Sequence, residues 1–222
     1  LHHKAELLTQ AVGNAQPNIS QAKIKNTTIP IPPLSEQEEI VEVLDKAFAA
    51  IDQAKANIEQ NIANAKELFQ SKLNQIFSQK GEGWVEKKLN EICEVKDGTH
   101  DSPKYVDSEI GIPFVTQKNI LDGGLSFEIT KFISKQDHGH FYRRSNVAED
   151  DILFSMIGAN RGMACLVDDN RVFSIKNVGL IKSNDQYRGK FLLFYLKSPL
   201  AKKYVANNSS GSAQGFIGLG KL

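Results

Sequence analysis

Between Pro33 and Gly81 no glycine or proline interrupts the chain. Apolar residues return there every three or four positions, at Ile40, Leu44, Ala47 and Phe48, Ile51, Ala54, Ile58, Ile62, Ala65, Phe69, Leu73 and Ile76. That spacing places them on one face of an α-helix. Pro30, Pro32 and Pro33 exclude a helix upstream, and Ser35 with Glu38 three residues on forms a capping box, so the predicted helix covers 35–79. At about 1.5 Å per residue it is on the order of 65–70 Å long, more than one small domain can cover. No second helix of matching length is legible in the chain. The seam therefore calls for a long helix from another molecule, with Leu44, Ala47, Ile51, Ala54, Ile58, Ile62, Ala65 and Phe69 as its contact stripe and the three alanines allowing close approach.

Charge separates this helix from the rest. Residues 35–79 carry four lysines against eight carboxylates, whereas 80–222 carry twenty basic and seventeen acidic groups, in a chain of net charge +1. An acidic helix is a poor surface for phosphates, and the slightly basic remainder is a better one. Cys93 and Cys165 stand far apart in apolar surroundings, without metal-ligand or redox spacing, and read as buried free thiols of a reducing compartment. No apolar run nears the roughly 20 residues of a membrane span and no secretory leader is present, so the expectation is a soluble, cytoplasmic protein.

Residues 1–34 divide into a short helical stretch at 4–12, a turn at Gly13-Asn14 and an extended proline-rich strap ending at Pro33. Beyond the helix, Gly81-Glu82-Gly83 reads as a hinge, and Trp84 as the residue that packs where a new domain meets the helix end. Short strands are expected at 91–95, 113–116, 127–133, 151–157, 164–167, 171–175 and 178–182, giving a compact, partly barrel-like mixed domain. Two helices should close it, one over 190–197 and one capped by Ser198, started by Pro199 and ending near 206.

The tail repeats the beginning. Gly13, Ala15, Gln16, Ile19 and Lys23 match Gly211, Ala213, Gln214, Ile217 and Lys221 at one constant offset. The chain thus begins and ends at the same point of a larger period, and full repetition would place another strap and another long helix after Leu222.

Several elements in this order carry a family likeness. They are Ile29-Pro30-Ile31-Pro32-Pro33-Leu34-Ser35-Glu36-Gln37 leading into the helix, the Gly-Asn/Ser-Ala-Gln motif, Trp84 with Lys88-Leu89 and Ile92, Asp97-Gly98-Thr99-His100-Asp101-Ser102-Pro103, and Asp150-Asp151-Ile152-Leu153-Phe154-Ser155-Met156-Ile157-Gly158. Over essentially its whole length the chain resembles the specificity subunit of type I restriction-modification systems, in which two target recognition domains are each followed by a long helix. The resemblance implies an α+β fold: a tail segment and strap at 1–34, a long antiparallel coiled-coil helix at 35–80, and a compact mixed α/β target recognition domain at 81–222. It also implies DNA sequence recognition without catalysis. The domain would read a half-site of double-stranded DNA, the paired helices would set the distance between half-sites, and methyltransferase subunits would dock there, bringing the restriction subunit through the complex. One helix and one domain per chain point to a homodimer. Two other readings are a coiled-coil scaffold whose mixed domain binds protein, and the recognition part of a fused restriction-methylation enzyme.

Base edges call for side chains that donate and accept hydrogen bonds from loops. Lys96, Asp97, Thr99, His100 and Lys104 form one candidate loop, Gln117, Lys118 and Asn119 a second, Asn160 and Arg161 a third, with Gln214, Ser209 and Ser210 in the tail. Asp, Asn and Gly in such loops also serve backbone turns. His138-Gly139-His140 lacks a third ligand at metal spacing. The glycines at 215, 218 and 220 do not form a dinucleotide fingerprint. Neither a methyltransferase nor a nuclease motif is present, so no cofactor, metal or catalytic residue is expected.

Overall fold

A computed structural model describes residues 20–158, 160–183, 185–209 and 216–218. The chain divides into two compact units, residues 1–62 and 63–222. The first helical stretch, the Gly13 turn and the Gly-Asn/Ser-Ala-Gln motifs lie outside the described residues.

In the first unit a single helical turn, α1 (Gln21–Lys25), precedes the strap and was not expected in it. The long helix α2 (Leu34–Ser78) then runs unbroken for 45 residues. It begins one residue earlier than the capping box implies. Leu34 is already helical, the Gln37 amide donates to the Pro33 carbonyl at 3.0 Å, and the Gln37 side chain donates to the Pro32 carbonyl at 2.7 Å. Ser35 thus lies in the first turn, where the Pro33 carbonyl accepts the first intrahelical bond and the Gln37 side chain ties the strap to the helix start. The apolar stripe is exposed over this half, Ile51 by 48 % and Ile58 by 59 %.

In the second unit the end of α2 is buried. Leu73 and Phe77 are each 5 % exposed, and Phe77 meets Trp84, Phe191 and Tyr195 edge-on with ring centres 5.3–6.3 Å apart. Trp84 also meets Phe191, and Phe69 rests edge-on against Phe194 of the same chain. After the Gly81 turn, α3 (Leu89–Ile92) occupies the start of what reads as the first strand, and β1 (Glu94–Asp97) begins only past it.

The core strands are β6 (Ile152–Ser155), β7 (Ala164–Leu166) and β9 (Val178–Lys182). They form an antiparallel sheet of order β1-β9-β6-β7, with Leu153 opposite Leu180 on β9 and Cys165 on β7. Successive side chains point to opposite faces, and both faces are covered, so these strands read as continuous apolar runs. Ile152, Phe154 and Ile181 face α5 (Gln186–Lys197) and α6 (Pro199–Asn208) through Leu192, Leu196 and Val205. Leu153 and Leu180 face the other way, onto Val115, Ile120, Phe173 and Ile175. Ile217 of the tail is fully buried in the first of these cores, its amide donating to the Met156 carbonyl at 3.0 Å.

A second sheet has β2 (Ile112–Val115) between β5 (Lys131–Ile133), antiparallel, and β8 (Ser174–Ile175), parallel. A two-residue hairpin joins β3 (Ile120–Leu121) to β4 (Gly124–Leu125). These are open sheets and not a barrel, and the expected strands at 127–133 and 171–175 shrink to their last two or three residues. A further helix was not expected, α4 (Lys135–Ser145), capped by Ser134 and closed by Asn146 in the left-handed conformation. Its Phe141 stacks on Phe114 at 5.8 Å.

The Asp150-Asp151 motif is structural. Asp151 is 1 % exposed and pairs with the Lys182 ammonium at 2.6 Å, while accepting from the Ala148 amide at 2.8 Å. Lys182 also donates to the Asn146 carbonyl at 2.7 Å, so both buried charges are matched. Helix α5 starts four residues before the expected point because Asp185 caps it, accepting from the Tyr187 and Arg188 amides. Gly189, which reads as a breaker, is needed where it stands: a Cβ would lie 2.9 Å from the Asp150 carbonyl.

Candidate nucleic-acid interface

Three segments distant in sequence are drawn together by β1, β2 and the connection between β8 and β9. The first follows β1. Gly98 passes so close to β8 that a Cβ would lie 2.2 Å from the Ile175 carbonyl oxygen, which requires glycine there. The Thr99 amide donates to that carbonyl at 3.0 Å and the Asn177 amide to the Thr99 carbonyl at 3.1 Å. This fastens the loop to Lys176-Asn177. Across it, His100 Nδ1 lies 2.6 Å from Asn177 Oδ1 and His100 Nε2 lies 3.1 Å from Asp97 Oδ2. The Arg144 guanidinium donates twice to Asp97 Oδ1, at 2.9 and 2.7 Å.

The second segment is a 3₁₀ turn, Gln117–Asn119, capped by Thr116. Asn119 is 2 % exposed and its carboxamide is spent within the chain. Its oxygen accepts from the Thr116 amide at 2.8 Å, and its nitrogen donates to the Ser126 carbonyl at 2.9 Å and the Thr130 hydroxyl at 2.7 Å. That locks the turn and leaves Lys118 exposed. The third segment, after β6, places Gly158 against the Gln117 carboxamide, with a Cβ position 3.1 Å from both amide heteroatoms, and brings Asn160 Nδ2 3.5 Å from the Gln117 carbonyl.

Together these segments frame a concavity of about 390 Å³, lined by Tyr105, Gln117, Lys118, Lys131, Lys176 and Asn177 over a floor that includes Phe114 and Ile157. Three ammonium groups and no carboxylate line it among the described residues. Lys131 also stands over the Tyr105 ring, 5.7 Å from its centre. A shallow basic recess with amide groups at its base can hold phosphate oxygens at the rim and meet base edges inside.

The expected site residues divide accordingly. Gln117 and Lys118 are brought into the recess and His100 stands beside it, held by Asn177. Lys96 is in a strand and pairs with Glu94 at 3.0 Å, Lys104 is exposed outside the lining, and Arg161 has no hydrogen-bond partner for its guanidinium among the described residues. Thr99, 4 % exposed, and Asn119 are buried, and their side chains bond neighbouring polar groups and hold the loops in shape. Asp97 is a strand residue occupied by Arg144 and His100. Ser209 donates to the Val205 carbonyl, and Gln214 and Ser210 lie outside the described residues. Lys131, Lys176, Asn177 and Arg144 were missed. Lys176-Asn177 between two apolar strands was a legible signal, because Asn177 turns the chain with φ +52°.

No group of three metal-ligating side chains occurs among the described residues. His138 is engaged with Ser174 Oγ at 2.8 Å, and burial lowers its pKa. Burial pushes the Cys165 thiol up to about 12, with Asp168 acting the same way, and raises that of Cys93. Among the described residues no helix is long and apolar enough to cross a membrane.

The chain thus combines a long helix with an uncovered apolar stripe and a two-sheet unit with a basic recess. The type I restriction modification DNA specificity domain family matches residues 1–64 and 81–222, and the chain belongs to that family. It is 25% identical over 232 residues to the type I restriction enzyme EcoBI specificity subunit of Escherichia coli, covering 92% of this chain and 48% of that one. It is also 25% identical over 230 residues to the MjaVIII specificity subunit of Methanocaldococcus jannaschii, covering 95% and 53%. The chain spans about half the length of these curated relatives. Its fold is shared, at a TM-score of 0.58 and 20% identity over 90% of this chain and 51% of the other, with a chain solved in work on complex assembly and conformational transition of the type I R-M system.

Proposed function

We propose that this protein is a non-catalytic, sequence-specific DNA recognition subunit of a type I restriction-modification complex. Its second unit reads one half-site of double-stranded DNA. The observation that carries the reading is the recess lined by Lys118, Lys131 and Lys176 together with Gln117 and Asn177, within a chain of the specificity family. Lysines at a rim position a duplex through its phosphates, and amides inside distinguish bases.

The exposed stripe of α2 supports the second part of the proposal. It takes a second copy of the helix, antiparallel, so that one reader stands at each end and the helix pair acts as a ruler between half-sites. Methyltransferase subunits dock on the pair and bring the restriction subunit with them. The test is binding of the full chain to duplex DNA over a salt series. Affinity that falls steeply with salt, and DNA left chemically unaltered, support the proposal. Salt-insensitive or absent binding would favour a protein-binding scaffold, and methyl transfer by the chain alone would overturn the non-catalytic assignment.

A further inference from the structure

Resting on the DNA-recognition reading, we infer that Gln117 is a specificity-determining residue that reads an adenine in the half-site, with Lys118, Lys131 and Lys176 clamping the phosphates around it. The Gln117 amide oxygen is buried and has no hydrogen-bond partner, one of only two such side-chain atoms among the described residues. A buried acceptor without a donor is a standing cost that a matching donor relieves. Its neighbour Asn119, two residues on in the same turn, is satisfied at both ends of its amide, so the difference is not a general looseness of the loop.

The surroundings define what that donor can be. The turn carrying Gln117 is fixed by the Thr116 and Asn119 caps, so its backbone does not have to be ordered on binding. Gly158 lies behind the amide with φ +73°, and a side chain there would press on the amide at 3.1 Å. The terminal torsion of glutamine is soft, so a turn about it on binding would bring the buried oxygen round to the recess that Gln117 lines. Lys118, Lys131 and Lys176 line the same recess, the Lys176 ammonium donating to the Ser102 hydroxyl, and no carboxylate among the described lining residues competes for a donor. A cation site is therefore excluded, and the partner is a polyanion that also supplies an amine. Adenine in a duplex fits: its N6 amine donates to the amide oxygen while its N7 accepts from the amide nitrogen, the bidentate match of glutamine in the major groove.

The lysines and Gln117 then separate experimentally. Bound sites are selected from random duplex DNA with the full chain and with Gln117→Leu, Gln117→Glu and Lys176→Ala variants. The wild-type half-site is expected to hold an adenine that Gln117→Leu no longer distinguishes, a loss of about tenfold or more in discrimination at that position alone. Gln117→Glu, which keeps the shape and accepts at both oxygens, is expected to move that position from adenine to cytosine. Lys176→Ala should weaken all sequences equally and lower the salt slope by about one. An unchanged adenine in Gln117→Glu, or the wild-type sequence selected by folded Gln117→Leu, overturns the inference while leaving DNA recognition in place. A wild-type chain with no salt-dependent DNA binding would overturn recognition itself.

Discussion

The two halves of one apolar stripe behave differently. Leu73 and Phe77 are buried at 5 % exposure each, whereas Ile58 and Ile51, roughly four to seven turns up the same face, are about half exposed. Helical period is the same in both. What differs is the supply of a covering surface: α5 brings Phe191, Phe194 and Tyr195 to the end of the helix, and no described element of the chain reaches the rest. Periodicity therefore identifies a face to be buried without identifying what buries it: the covered end belongs to folding, and the open stretch is the part that the proposed helix pair would cover.

Substitutions sharpen that contrast. Ile51→Asp with Ile58→Asp should turn a dimer into a monomer, weakening association by more than about a thousandfold, since each buried Ile contributes roughly 1.5–3 kcal/mol and a buried unpaired carboxylate costs more. Light scattering reads the mass, and circular dichroism should show the second unit still folded. A monomer before and after the change would break the assembly half of the comparison. Phe77→Ala should instead lower unfolding stability by about 3–5 kcal/mol without loosening the dimer as much, whereas Ile62→Ala, on the same uncovered stripe, should change stability in the monomeric background by under about 0.5 kcal/mol. Denaturant titration separates them. Removing one partner of the buried pair, as in Asp151→Ala, should cost about 3–5 kcal/mol by leaving Lys182 unmatched, and Asp151→Leu with Lys182→Met should recover much of it.

The smallest expected effect is a pH dependence. Burial lowers the folded pKa of His138 below its ordinary 6.5, so the neutral ring is the folded form. Its contribution is fully present above 6.5 and is lost as pH falls from there through the folded value, because the unfolded chain takes up the proton first. Thermal melts should show a Tm falling over that window, flattened in His138→Gln. A wild-type Tm insensitive to pH below 6.5 would contradict the assignment.

The long helix was legible in the sequence because neither glycine nor proline breaks it and its period persists over its length. The doubly covered strands β6, β7 and β9 were legible as apolar runs. Helix α4 was not, because Lys135–Ser145 is polar almost throughout and buries only Phe141 and Ser145, leaving too narrow an apolar stripe to show a period. The hairpin of β3 and β4 is too short for alternation to register. At the site, Gln117 and Asn119 look alike as sequence, two amides beside a lysine, yet one is unpartnered and the other locks a turn. That distinction arises from Ser126 and Thr130, which no local pattern connects to Asn119. Lys131 and Lys176 join the recess only through the pairing of β2 with β5 and β8.

The central claim is that two identical readers are held at opposite ends of an antiparallel helix pair. Selection of bound or methylated sites from random DNA by the full chain with its methyltransferase subunits tests it most directly. Two identical half-sites in inverted orientation, separated by a gap of fixed length, are the predicted result. A single unpaired half-site, two unlike halves, or a gap of variable length would contradict it.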